Sequence, residues 1–159
     1  MTDDFTPWLR ARLDAREALA RAAATEYPGG SGLHWEARNG SVTPTNPVDS
    51  NPVADAAGWG SLGDATAAHI ADNDPARVLA AVAATRRRVD LHQPVTLRKG
   101  GGADYFVTAR VCMTCGGSDA SFNDGTPAMR AAAYPCPTLR LEALPYATHP
   151  GYRPEWSTQ

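Results

Sequence analysis

The sequence predicts an α+β fold, with several helices, small antiparallel hairpins and one zinc-knuckle-like site. Three observations carry that expectation. Residues 7–25 and 64–93 repeat apolar positions at helical spacing behind capping residues. Asn39-Gly40 lies between two short β-forming runs, and that dipeptide suits a two-residue hairpin turn because both positions need positive φ. Cys112-x-x-Cys115, followed by Cys136, supplies three thiolates at metal-ligand spacing.

The elements follow in order. Thr6-Pro7 reads as an N-cap and first helical residue, and Trp8, Leu9, Leu13 and Ala20 make the apolar stripe of a helix over 7–25. Pro28 through Gly32 end it. Leu33–Ala37 reads as a strand, and Ser41–Thr43 returns from the Asn-Gly turn. The stretch 43–63 is dense in Pro, Asn, Ser and Gly and predicts loop, with one short strand at Val53–Asp55. Asp64 is placed to cap a short helix through Ala71 that buries Ile70. Asp74-Pro75 starts a stronger helix whose face is Val78, Val82, Thr85, Val89 and His92, closed by Pro94. Val95–Arg98 and Tyr105–Val111 read as a second hairpin across a Lys99–Gly102 link. Residues 118–133 predict loop with one Ala-rich helical turn. Pro137 starts a last helix carrying Leu139, Leu141, Leu144 and Tyr146. The tail, 148–159, is aromatic and is expected to pack on the body, because Tyr152 and Trp156 are costly to expose.

Bulk properties narrow the function classes. The length of 159 residues suits a single domain spanning 1–159. Gly and Pro number 14 and 13, which predicts long loops around a modest framework. A net charge of -2 gives no global attraction to nucleic acid or to an anionic membrane. No apolar run reaches the roughly 20 residues of a membrane span, and the acidic N-terminus does not read as a signal peptide. Three cysteines, an odd number, argue against a disulfide framework and for a reducing, cytoplasmic setting.

The cysteines carry the one clear chemical signal. A Cys-x-x-Cys turn offers two thiolates to one ion, and the Gly after Cys115 permits a backbone that points N–H groups at sulfur. Cys136 follows with 20 residues between, the usual gap between halves of a zinc ribbon. It precedes Pro137 at a predicted helix start, where the dipole favours a thiolate. A tetrahedral ion needs a fourth ligand. His92 is favoured because a two-strand excursion from it returns to Cys112; His149 comes second, and His69 and His34 are the other histidines. The metal expected is a structural Zn2+. The competing readings are three small buried hydrophobes, or a redox pair at Cys112 and Cys115.

The chain also resembles a known family. The carrying segments are Ala68–Leu79, Arg86–His92, the Cys-x-x-Cys, Pro135–Arg140 and Ala143–Arg153, with Leu9–Leu13 near the start. In order and spacing they are similar to domain of unknown function 6221, a family of small proteins from actinobacteria and their phages. The resemblance covers nearly the whole chain and carries no activity. It implies a bacterial or phage protein in which His92 and the three cysteines recur together. Longer loops at about 99–104 and 116–133 depart from the family pattern.

Three functions compete on this reading. The first is a non-enzymatic, zinc-stabilised interaction or accessory protein with a protein partner. Its contact surface would be aromatics exposed in the tail or the 43–63 loop. The second is a nucleic-acid-binding knuckle using Arg86, Arg87, Arg88, Arg98, Lys99 and Arg110. It is disfavoured because Arg86–Arg88 wrap around a helix and the net charge is -2. The third is a deaminase-like zinc hydrolase with His34-Trp35-Glu36 as His-x-Glu and Cys112/Cys115 as the thiolate pair. That match is poor, since Val111 stands where the pattern has proline.

Overall fold

The computed structural model describes residues 4–26, 32–45, 52–54, 62–99, 107–115 and 132–157. The chain divides into two compact units: Met1–Arg12 with Thr85–Gln159, and Leu13–Ala84. Among the described residues, four α-helices and two antiparallel hairpins make an α+β architecture.

Helix α1 (Phe5–Thr25) and helix α3 (Pro75–Leu91) each contribute residues to both units. α1 begins two residues earlier than its Thr-Pro signal predicts, with the Trp8 amide bonded to Asp4 O at 3.0 Å. Thr6 is therefore not the cap; its hydroxyl meets the Tyr134 hydroxyl instead. Pro7 still lies in the first turn, where a missing N–H breaks no helical bond.

The unit Leu13–Ala84 is built around the first hairpin. Strands β1 (Trp35–Arg38) and β2 (Ser41–Pro44) pair with Arg38 opposite Ser41. Asn39 and Gly40 have φ of 49° and 68°, the left-handed pair that a two-residue turn demands. β1 starts at Trp35, later than expected, because Gly32 and Leu33 form a 3-10 turn. Only glycine fits there: a Cβ on Gly32 would sit 2.4 Å from Ala24 O. Val42 is fully buried and bridges Ala54, so the short strand expected at 53–55 is an isolated bridge, with Asp55 outside the described residues.

Helix α2 (Asp64–Asp72) packs on both strands. Gly63 occupies its N-cap and Asp64 its first turn, where a carboxylate favours the dipole without capping. Ala67, not Ile70, is its buried residue. α3 starts as its sequence predicts. Asp74 accepts the Arg77 amide at 2.7 Å, and Val82, Thr85 and Val89 are buried.

The other unit holds the second hairpin. Strands β3 (Pro94–Lys99) and β4 (Val107–Cys112) pair antiparallel, with Pro94 opposite Cys112. Residues 132–134 add a third extended piece on the free side of β4, where Cys112 N donates to Ala132 O and Tyr134 N to Arg110 O, at 3.0 and 3.1 Å. Helix α4 (Pro137–Ala143) continues into a 3-10 turn at Leu144–Tyr146. Its inner face is Leu139, Ala143 and Tyr146, at helical spacings; of the apolar residues the sequence places on it, Leu141 is 56% exposed.

The tail packs into an aromatic cluster. Trp156 stacks near Phe5 and Trp8 at centroid separations of 5.1 and 5.0 Å, and Trp8 Nε1 donates to Pro150 O. Trp156 is buried, as expected of a tail that packs on the body, so it is not among any exposed aromatics of a contact surface. The Lys99–Gly102 link beyond Lys99, the Tyr105–Phe106 strand start, Gly116, the loop expected at 118–131 and most of 43–63, Trp59 included, lie outside the described residues. Among the described residues, no helix is long and apolar enough to cross a membrane.

Candidate metal centre

The site is assembled at the base of the second hairpin. His92 lies in the turn that ends α3, its amide bonded to Arg88 O at 3.1 Å. Two residues later β3 begins. Cys112 ends β4, directly opposite Pro94. The next residues turn sharply and are fastened to the end of α3: Met113 N donates to Gln93 O at 2.8 Å, and the Thr114 hydroxyl donates to Leu91 O. That turn brings Cys115 back over Cys112, and the Cys115 amide points at the Cys112 sulfur at 3.4 Å, an N–H···S bond across the turn. Cys136 arrives as the N-cap residue of α4, its side chain making no capping bond and so left for the cluster.

The four donor atoms lie within 4.8 Å of one another. His92 Nδ1 is 3.2 Å from Cys112 Sγ and 3.4 Å from both Cys115 Sγ and Cys136 Sγ. Hydrogen bonding does not explain this convergence. An imidazole nitrogen carries one proton or one lone pair, so it satisfies one partner, not three. Ligation does explain it. With Zn–S of about 2.3 Å and Zn–N of about 2.0–2.1 Å, a tetrahedron has S···N edges of about 3.5 Å.

The donor chemistry points the same way. Burial, hydrogen bonds to Cys136 and Cys112, and then the charges of those two thiolates push the Cys115 thiol up to about 12. Three sulfurs in one pocket repel one another's negative charge, and a divalent cation among them offsets that repulsion. Cys112 and Cys136 are fully buried, while Cys115 keeps partial exposure. Four protein ligands on one tetrahedral ion would fill its shell and leave no position for water or substrate.

A family model matches residues 2–158. The chain belongs to the family of unknown function DUF6221. No curated protein and no solved structure matches it. The chemistry of this DUF6221 protein therefore has to be read from its own residues.

The other histidines lie elsewhere. The His149 ring packs against Tyr146 at 5.7 Å. His34 Nδ1 lies 3.4 Å from Asp74, and Glu36 pairs with Arg38 at 2.9 Å. His69 sits in the last turn of α2. Among the described residues, the one group of three or more potential ligands is His92, Cys112, Cys115 and Cys136.

The basic residues of the DUF6221 chain are also partly committed. Arg88 grips Glu142 with two nitrogens, at 2.5 and 3.2 Å, and Thr85 donates to the same carboxylate at 3.0 Å. Arg110 lies over the Tyr134 ring at 5.7 Å. Glu142 and Thr114, which hold the elements around the cluster, carry no sequence signal: one is an ordinary helical acid, the other a turn hydroxyl.

Proposed function

We propose that this DUF6221 protein is a non-enzymatic interaction or accessory protein of a bacterium or its phage. One structural Zn2+, held by His92, Cys112, Cys115 and Cys136, stabilises it. The single observation behind this reading is the convergence of three thiols on one imidazole nitrogen at 3.2–3.4 Å. Zinc is favoured over harder ions because thiolate and imidazole donors in a tetrahedron suit it. A closed set of four ligands supports a structural over a hydrolytic metal. A reducing cytoplasm fits, since three thiolates persist as ligands there.

Residues 1–159 are read as a single domain. The support is that a length of 159 residues suits one domain. The zinc-loaded protein is then expected to melt in one transition.

X-ray absorption at the zinc edge tests the site. The expected shell is three sulfurs and one nitrogen, at one zinc per chain. An oxygen scatterer would revive the hydrolase reading, and metal-free protein from a zinc-replete preparation sinks the proposal.

A further inference from the structure

The three thiolates of the cluster differ in access, and the difference has a chemical consequence. Cys112 and Cys136 are 0% exposed. Cys115 is partly exposed, on the turn whose neighbouring residue Met113 is 64% exposed. An oxidant approaching from solvent therefore meets one sulfur first. That sulfur is also placed to be resolved, because the sulfurs of Cys112 and Cys136 both lie within 4.8 Å of it. A low-access site with one open thiolate backed by two potential resolving thiols has the arrangement of a redox-sensitive centre.

The geometry points to Cys115 as the entry point for oxidation by a hydroperoxide, which converts the cluster to a disulfide and releases its metal. The inference rests on the zinc reading above. The Cys115 thiolate attacks one peroxide oxygen; the O–O bond breaks, giving a Cys115 sulfenic acid and hydroxide. The thiolate of Cys112 or Cys136 then attacks the Cys115 sulfur. An S–S bond forms, the S–O bond breaks, and a second hydroxide leaves. Two thiolates have lost one electron each, and one hydroperoxide has been reduced by two. Either pairing removes two of four ligands. His92 and the one remaining cysteine cannot hold zinc against solvent, and the ion leaves.

The consequence falls on the hairpin base. The cluster joins the end of α3, the end of β4 and the start of α4. Oxidation replaces a link among all three with a bond between two cysteines. A Cys112–Cys115 bond lies within one turn and ties neither His92 nor α4. A Cys115–Cys136 bond keeps the knuckle on α4 and frees only α3.

The test uses the full-length, zinc-loaded protein with hydrogen peroxide as the probe. Zinc is measured with a metallochromic dye and disulfides are mapped by mass spectrometry. The expected result is about one zinc released and one disulfide formed per peroxide consumed, with Cys115 in the disulfide. Brief alkylation of the native protein is expected to modify Cys115 about ten times faster than Cys112 or Cys136. A Cys112–Cys136 disulfide overturns the inference, as does equal alkylation of the three. Zinc retained through excess peroxide also overturns it and leaves the zinc reading standing. Protein that never contained zinc removes the zinc reading itself, and the two failures are thereby told apart. Because Cys115→Ser weakens the metal site as well, the comparison rests on the native chain and its per-residue rates.

Discussion

The two hairpins reach similar pairing by different means. β1–β2 is closed at its tip by Asn39 and Gly40, whose φ values of 49° and 68° set the register locally. β3 ends at Lys99 and β4 begins at Val107, so a two-residue turn does not join them. This hairpin is fastened instead at its open base. There His92, Cys112, Cys115 and Cys136 converge, and Met113 N bonds Gln93 O. A tip turn orders a few residues cheaply, through backbone geometry alone. A base clamp must bring together residues up to 44 positions apart, and that loop-closure entropy is offset only by strong bonds. One hairpin is thus encoded in a dipeptide and the other in a cluster of one histidine and three cysteines.

The largest test of this contrast is metal removal. Chelation is expected to cost on the order of 10 kcal/mol of coupled folding free energy. Hydrogen exchange should speed up at the Cys112, Met113 and Tyr134 amides well before the Val42 amide, which bonds Ala54 O at 2.9 Å. Equal loss at both hairpins would break the comparison. Next is Val42→Ala, which empties a fully buried position of the first hairpin. About 2 kcal/mol should be lost in urea unfolding, with zinc content unchanged. Gly40→Ala follows. A Cβ at φ 68° is expected to cost about 1 kcal/mol, again without touching the metal. The smallest effect belongs to Thr114→Val. Loss of its exposed hydroxyl bond to Leu91 O should cost about 0.5 kcal/mol and raise the zinc off-rate slightly. A large effect there would mean the hydroxyl, not the sulfurs, holds the knuckle to α3.

Fold elements were legible where the signal is local. Asp74-Pro75 started α3 because a carboxylate and a fixed φ act on their own neighbours. Asn39-Gly40 marked the turn for the same reason. Legibility failed where a residue's role depends on what faces it. Thr6 has the chemistry of a cap, but Tyr134 takes its hydroxyl and the helix starts at Phe5. Leu141 is as apolar as Leu139, yet only Leu139 faces inward, because Ala143 and Tyr146 complete that face. Asp64 lost the cap to Gly63, whose extended backbone sits just outside the helix.

The same boundary divides the candidate site. The sequence by itself determined that three thiols of metal-ligand spacing exist, and that two of them share one tight turn. Both facts depend on covalent neighbours alone. How closely a histidine stands beside them was decided only by the tertiary structure. The order of elements favoured His92 over His149, His69 and His34, but the four rings are chemically alike, and convergence on the sulfurs is a property of the packed chain. The antiparallel register that sets Pro94 opposite Cys112 is what brings His92 Nδ1 to 3.2 Å from its sulfur. The exposure that distinguishes Cys115 from its two partners has the same origin, because burial is a property of the packed chain and not of any segment within it.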